Sequence, residues 1–307
     1  MRYYRNEKEI RVSETVVTLG KFDGIHIGHQ KLIDLLMQEK KDGQVGVMFT
    51  FDLSGFRDLS ILTEEERKEK AERLGLDVMV VWPFDHETMT MDPETFIREI
   101  LIEKLHAKVV VVGEDYRFGS HRSGNVETLR HFSDVYGYKV VSVPKVTWKG
   151  EEVSSSRIRD CILRGNLEDA NAMLGTPYQI SGTIVHGRHL GHTIGIPTMN
   201  LTVPAEKLLP PYGVYASRTN VFGTLYDGIS NLGVKPSVSS EEKLGLETHL
   251  FDYDEDDYGQ RVVVSLFHFL RKEQKFDSLT ALKKQIQQDT VSAKALLSLT
   301  SSEVPGK

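Results

Sequence analysis

TVVTLGKFDGIHIGHQ, residues 15–30, is a β-branched run that breaks at a glycine turn and delivers two histidines, His26 and His29, to a helix start. Building a core calls for no such layout, whereas holding a nucleoside triphosphate does. Gly20 and Gly24 let backbone approach a ligand closely. The helix start offers free N–H groups and its positive dipole end to phosphates, and histidines three apart share one side of the first turn. The stretch predicts a strand, turn and helix arranged for chemistry on a phosphate.

Working outward, residues 15–20, 45–51, 78–84, 108–113 and 139–144 are short β-branched runs separated by helical stretches. Thr63 and Glu66 form a capping box, and Asp92 followed by Pro93 marks another helix start. A helix over residues 156–174, ended by Gly175-Thr176-Pro177, closes this half. The alternation predicts an α/β fold with a parallel, doubly wound sheet. From residue 178 to 276 the pattern changes to period-two alternation, as in QRVVVSLFHF at 260–269, broken by glycine and proline turns. That predicts a small antiparallel β-barrel. A terminal helix over residues 278–299, with Leu279, Leu282, Ile286 and Val291 as its apolar stripe, is expected only to cover the barrel. The expected domains are residues 1–179 and 180–307.

The 307 residues carry a net charge of −6 and one cysteine, Cys161, which excludes an internal disulfide and any cysteine-based zinc cage. The charge offers no overall attraction to nucleic acid. No apolar run approaches the ~20 residues of a membrane span, and MRYYRNEKEI lacks the apolar core of a signal peptide. The expectation is a cytoplasmic protein with small-molecule substrates, no nucleic-acid or membrane partner, and a monomeric or weakly homo-oligomeric state.

Two further segments join the histidine pair. VGEDYRFG at 112–119 follows a predicted strand, with Asp115 suited to a base or ribose and Arg117 to a phosphate. VSSSRIR at 153–159 opens a helix with hydroxyls, free N–H groups and guanidinium groups, a second anion cradle. H-x-G-H resembles the nucleotidylyltransferase signature, and GKFDGIHIGH, VGEDYRFG and VSSSRIR in this order resemble the adenylyltransferase module of the prokaryotic FAD synthetases. The resemblance implies that His26 and His29 are catalytic and that Gly20, Phe22, Asp23, Gly24, Ser155, Ser156, Arg157 and Arg159 bind ATP. It gives Asp115 and Phe118 to flavin or nucleotide. FMN's phosphate would attack the α-phosphate of ATP, giving FAD and pyrophosphate with Mg2+. Leu53-Ser54-Gly55 stands where the family commonly has proline-histidine-proline.

In the second half, glycines at 182, 187, 191 and 195 precede Pro197-Thr198-Met199-Asn200, whose hydroxyl and amide oxygens are hard ligands suited to magnesium beside phosphates. Gly213-Val214-Tyr215, Asn231 through Pro236, ETHLFD at 247–252 and Tyr258-Gly259 follow. That succession resembles riboflavin kinase, which phosphorylates riboflavin from ATP on a six-stranded barrel. By resemblance Gly187, Gly191 and Gly195 cradle phosphates, Thr198 and Asn200 hold Mg2+, and Glu247 takes the hydroxyl proton. Leu190, His192, Ile196 and Ser237 depart from the family's usual residues. They motivate an alternative in which the barrel has lost catalysis and only binds flavin or packs.

Overall fold

In the computed structural model, which describes residues 1–52, 59–186, 195–236, 242–253, 255 and 257–300, the run at 15–19 becomes a strand, β2 (Thr15–Leu19), buried at all five positions. Val16 belongs to one apolar cluster and Val17 to another. Successive side chains of a strand point to opposite faces, so a continuous apolar run is what a parallel strand covered on both sides requires.

The chain divides into two compact units, Met1–Ser155 and Ser156–Lys307. The first is built on a six-stranded sheet in the order β1 (Arg2–Arg5), β4 (Val78–Pro83), β3 (Val45–Asp52), β2, β5 (Ala107–Gly113), β6 (Lys139–Val143). Every pairing is parallel. The edge strand β1, RYYR, was not expected, because it has no apolar run to mark it.

One face of the sheet packs against Leu32, Ile33 and Leu36 of α1 (Ile27–Glu39) and Ala71 of α2 (Glu64–Arg73). Thr63 and Glu66 form the expected capping box on α2. The opposite face meets Phe96, Ile97, Ile100 and Leu101, together with Val126 and Leu129 of a later helix. The short α3 (His86–Thr90) and α4 (Pro93–Thr95) lead into this second layer, and Asp92 caps α4 as expected. The chain then continues as a π-helix over Phe96–Lys104, before β5, α5 (Val126–Tyr136) and a short hairpin of β7 (Thr147–Trp148) and β8 (Glu151–Glu152). Strand order reverses between β2 and β5, which makes their carboxyl ends the ligand-binding crevice of such a sheet.

The single helix expected over 156–174 is two, α6 (Ser155–Arg164) and α7 (Leu167–Leu174). Gly165, at φ 77°, breaks it, and the Asn166 side chain caps the new start by accepting from the Asp169 N–H. Asn171 ties α7 to the barrel, donating to the Leu266 carbonyl at 3.0 Å and accepting from the Tyr178 N–H at 2.7 Å. The barrel is closed, with six strands in the order β10 (Met199–Thr202), β13 (Glu242–Leu250), β12 (Thr224–Pro236), β11 (Gly213–Val221), β14 (Arg261–Lys272), β9 (Tyr178–Val185).

The terminal helix, α8 (Leu279–Thr300), keeps half of the expected stripe: Leu282 and Ile286 are half-buried, and Ile286 packs on the barrel's apolar cluster. Leu279 is 54% and Val291 70% exposed, while Asp289, Ala293 and Leu297 are buried. A search for apolar spacing passes over Asp289, whose burial depends on a partner: the Arg271 guanidinium donates to both its carboxylate oxygens at 2.8–3.1 Å. Among the described residues no helix is long and apolar enough to cross a membrane.

Candidate active sites

At the reversal between β2 and β5 the loops leaving the strands enclose a cavity of about 900 Å³. Gly20, His26 and His29 line it from the β2 side, and Asp115, Arg117 and Phe118 from the β5 side. The backbone reaches this shape through left-handed conformations at Phe22 (φ 47°), Gly24 (φ 88°) and Ile25 (φ 41°). Strain at the two non-glycine positions marks a turn held by its surroundings.

His26 is the N-cap of α1, and its imidazole fills the role usually taken by a small polar side chain. Its Nδ1 accepts from the His29 N–H at 3.4 Å, and the two rings stack with centroids 3.7 Å apart. Gly28 makes room for this arrangement, since a Cβ there would lie 3.2 Å from the His26 ring. Burial pushes His26 down to about 4, the Lys70 charge pushes the same way and Asp23 opposes. Burial also holds His29 well below its ordinary value, with His26 and Lys70 adding to the effect. Both rings are therefore neutral near pH 7. A neutral ring that accepts at Nδ1 carries its proton on Nε2, so His26 is a hydrogen-bond donor and not a cation. The Nδ1 of His29 is buried without a hydrogen-bond partner.

Three residues expected against the nucleotide stand behind the cavity wall instead. Phe22 is fully buried in the core beneath Gly20, whose missing Cβ would lie 3.2 Å from its ring. Asp23 is 8% exposed. Its carboxylate accepts from the Ile61 N–H at 3.0 Å and its carbonyl from the Ser155 hydroxyl at 2.8 Å. The Gly24 carbonyl accepts from Lys70 Nζ at 3.4 Å. These residues shape the turn; Gly20, His26 and His29 face the cavity.

Asp115 is an exposed carboxylate 3.3 Å from Lys145, and Phe118 is buried against Phe96 and Tyr116. Ser155 lines the cavity, whereas Ser156, Arg157 and Arg159 fall in the second unit, in the first turns of α6. Sequence reading missed an aromatic wall of Phe51, Phe84, Phe96 and Tyr116, and the lining cations Lys21, Arg122 and Lys145. Phe51 and Phe84 sit at or just past the ends of β3 and β4, the one signal that could have found them.

The barrel carries two smaller cavities, of about 190 and 250 Å³. Thr198 lines both. Its hydroxyl donates to Glu247 Oε1 at 2.8 Å, and Asn200 stands opposite Glu247 in the β10–β13 register. Thr198 and Asn200 thus converge with Glu247, which lies almost fifty residues further along the chain. Period two on β13 sends Glu247 and His249 to the larger cavity and Thr248 and Leu250 to the smaller. Leu282, Ile286 and Asp289 also line the larger one, so α8 forms part of the cavity wall as well as covering the barrel. Ile196 lines the same cavity, and Gly195 has the left-handed φ of 72° that glycine permits. Gly187, Gly191, Leu190, His192, Ser237 and Leu53-Ser54-Gly55 lie outside the described residues.

A nucleotide-type cleft on a parallel sheet, joined in one chain to a closed barrel with a Thr-Asn-Glu cluster, defines a phosphotransfer protein with two sites. The FAD synthetase family model matches residues 8–157 and the riboflavin kinase model residues 174–297. A bifunctional riboflavin kinase/FMN adenylyltransferase of Buchnera aphidicola is 34% identical over 301 residues, covering 94% of this chain and 96% of that one. The Escherichia coli protein of the same name is 34% identical, with 93% of each chain covered. A crystal structure described as a macrolide-efflux protein from Streptococcus pneumoniae superposes with a TM-score of 0.85 at 31% identity, over 96% of this chain and 99% of that one. The chain belongs to the bifunctional riboflavin kinase/FMN adenylyltransferase family. The kinase match across the barrel favours two activities over an idle barrel.

Proposed function

We infer that the barrel phosphorylates riboflavin to FMN with ATP, and that the first unit transfers AMP from ATP to FMN to give FAD. What supports this most directly is that, in each unit, histidines or hard-oxygen side chains far apart or unusual in sequence converge at a cavity.

In the first unit the FMN phosphate attacks the α-phosphorus of ATP in line and pyrophosphate leaves. Neutral His26 donates from Nε2 to the oxygens on which charge accumulates, and the unpartnered His29 Nδ1 completes the polar pair. Positive charge comes from Lys21 and Arg117 on the cavity wall. The aromatic half of the cavity suits an isoalloxazine ring.

In the barrel, the ribityl hydroxyl lies in the larger cavity and ATP in the smaller, with Thr198 between them. Glu247 accepts the hydroxyl proton as the oxygen attacks the γ-phosphorus. Asn231, also on the larger cavity, has a buried, unpartnered Oδ1 ready to accept from a polyol. Among the described residues no group of three or more His, Cys, Asp or Glu could hold a metal by itself. The hydroxyl of Thr198 and the amide oxygen of Asn200 fit a magnesium ion that phosphates bring with them. When bound, the ion would neutralise charge on the transferring phosphoryl group. We take the enzyme to act in the cytoplasm as a monomer or weak homo-oligomer, without a nucleic-acid partner.

Riboflavin, ATP and magnesium should give FMN and then FAD, and FMN with ATP should give FAD and pyrophosphate. Absence of FAD from FMN overturns the first assignment; absence of FMN from riboflavin overturns the second.

A further inference from the structure

We propose that His249 is a positioning residue for phosphoryl transfer: from the same face of β13 as Glu247, it holds the Pro197 carbonyl and so clamps the partition between the two barrel cavities. The proposal rests on the reading of Thr198 and Glu247 given above.

The His249 Nδ1 lies 2.8 Å from the Pro197 oxygen. A carbonyl can only accept, so the ring's Nδ1 carries the proton. One peptide further on, the Thr198 hydroxyl donates to Glu247. Glu247 and His249 are two residues apart on a strand and both line the larger cavity, so one rigid element grips adjacent residues of the partition at two points. The ring is itself set edge-on against Phe251, centroids 5.9 Å apart. The partition matters because Pro197 and Thr198 face the smaller cavity while Thr198 also faces the larger. A shift of this dipeptide changes the distance between donor and acceptor without removing either cavity. Such a shift appears in kcat, because misplacement on the order of 1 Å can cost about a hundredfold in rate.

Three variants test it: His249→Phe keeps the ring without the N–H, His249→Asn keeps an N–H at the Nδ1 position, and His249→Ala removes both. Riboflavin binding, read by flavin fluorescence, identifies the variants whose barrel is intact, and FAD formation from FMN serves as an internal control. The Phe variant should lose roughly ten- to a hundredfold in riboflavin kinase kcat with KM little changed, and the Asn variant should recover most of it. If the Phe variant does not bind riboflavin, the Ala and Asn variants are compared in the same way. Equal kcat in all binding variants, or an Asn variant no better than Phe or Ala, overturns the clamp. Glu247→Gln run in parallel separates the two failures. If it phosphorylates riboflavin normally, the site reading itself fails; if it is inactive while His249→Phe is normal, only the clamp does.

Discussion

The two sites solve related problems with opposite layouts. The first has one cavity of about 900 Å³ at the strand ends of an open sheet, whereas the barrel divides about 190 and 250 Å³ on either side of Thr198. The difference follows from the nucleophile. A phosphate monoester is already ionised and needs no base, so on the proposed mechanism stacked neutral imidazoles and lining cations are enough for the first site. A ribityl hydroxyl must lose a proton, so the barrel places a carboxylate against the partition. On the proposed mechanism one site stabilises charge and the other also moves a proton.

The sharpest break of this comparison is Glu247→Gln, which keeps the shape and removes the base. Riboflavin phosphorylation should fall by about 10²–10⁴-fold, with FAD formation from FMN unchanged in the same assay. His29→Ala should do the reverse, lowering adenylyl transfer by roughly 10²–10³-fold and leaving phosphorylation intact. Loss of both activities from either change would mean that the sites are not independent.

Next in size is a change that acts first on stability. Asp289→Ala leaves the Arg271 guanidinium without the carboxylate that it grips, and Asp289 is only 5% exposed. Removing one partner of a buried pair costs about 3 kcal/mol. Denaturant unfolding should show that loss, and riboflavin KM should rise because Leu282 and Ile286 of the same helix line the cavity proposed for riboflavin. An unchanged midpoint would mean that α8 is held by its apolar contacts alone.

How much of each site could be read beforehand differs for the same physical reason. The strand-turn-helix at residues 15–30 is local: His26 and His29 are three apart, and glycine, strand and helix signals adjoin them. The barrel cluster is made by pairing, since Asn200 meets Glu247 only through the β10–β13 register, and resemblance had to supply what spacing could not. Phe22 shows the limit of a motif. It belongs to the local pattern, yet its ring is core, and no sequence rule separates a ring that touches a ligand from one that supports the turn beneath it. Asp289 shows the converse, a charged residue on a buried face that is legible only once Arg271 is beside it. Gly165 and Asn166, read as helix interior, carry the ordinary stop and start signals that divide α6 from α7.

The smallest expected effect concerns why the imidazoles of the first site are neutral. His26 lies at about 4 against an ordinary 6.5, through burial first and the Lys70 charge second, with Asp23 opposing. The stacked His29 is lowered as well. A folded value below the unfolded one means that the unfolded chain binds more protons between them. The stabilising contribution is therefore complete above about pH 6.5 and is lost as pH falls towards 4. The same interval should hold the acid limb of adenylyl transfer, because a protonated pair loses its stacked geometry and its acceptor at Nδ1. Lys70 is 7% exposed on α2 and reaches the Gly24 carbonyl of the histidine turn. Lys70→Met removes its charge and should raise His26 by up to about one unit, moving the acid limb of FAD formation towards neutrality, while Lys70→Arg should leave it in place. Imidazole proton shifts followed by NMR across pH 4–7, beside the kcat/KM profile, measure both. A His26 titration unmoved in Lys70→Met would assign the low value to burial alone. The barrel supplies the control, since its proposed proton acceptor is a carboxylate in the other unit and its acid limb should not respond to Lys70.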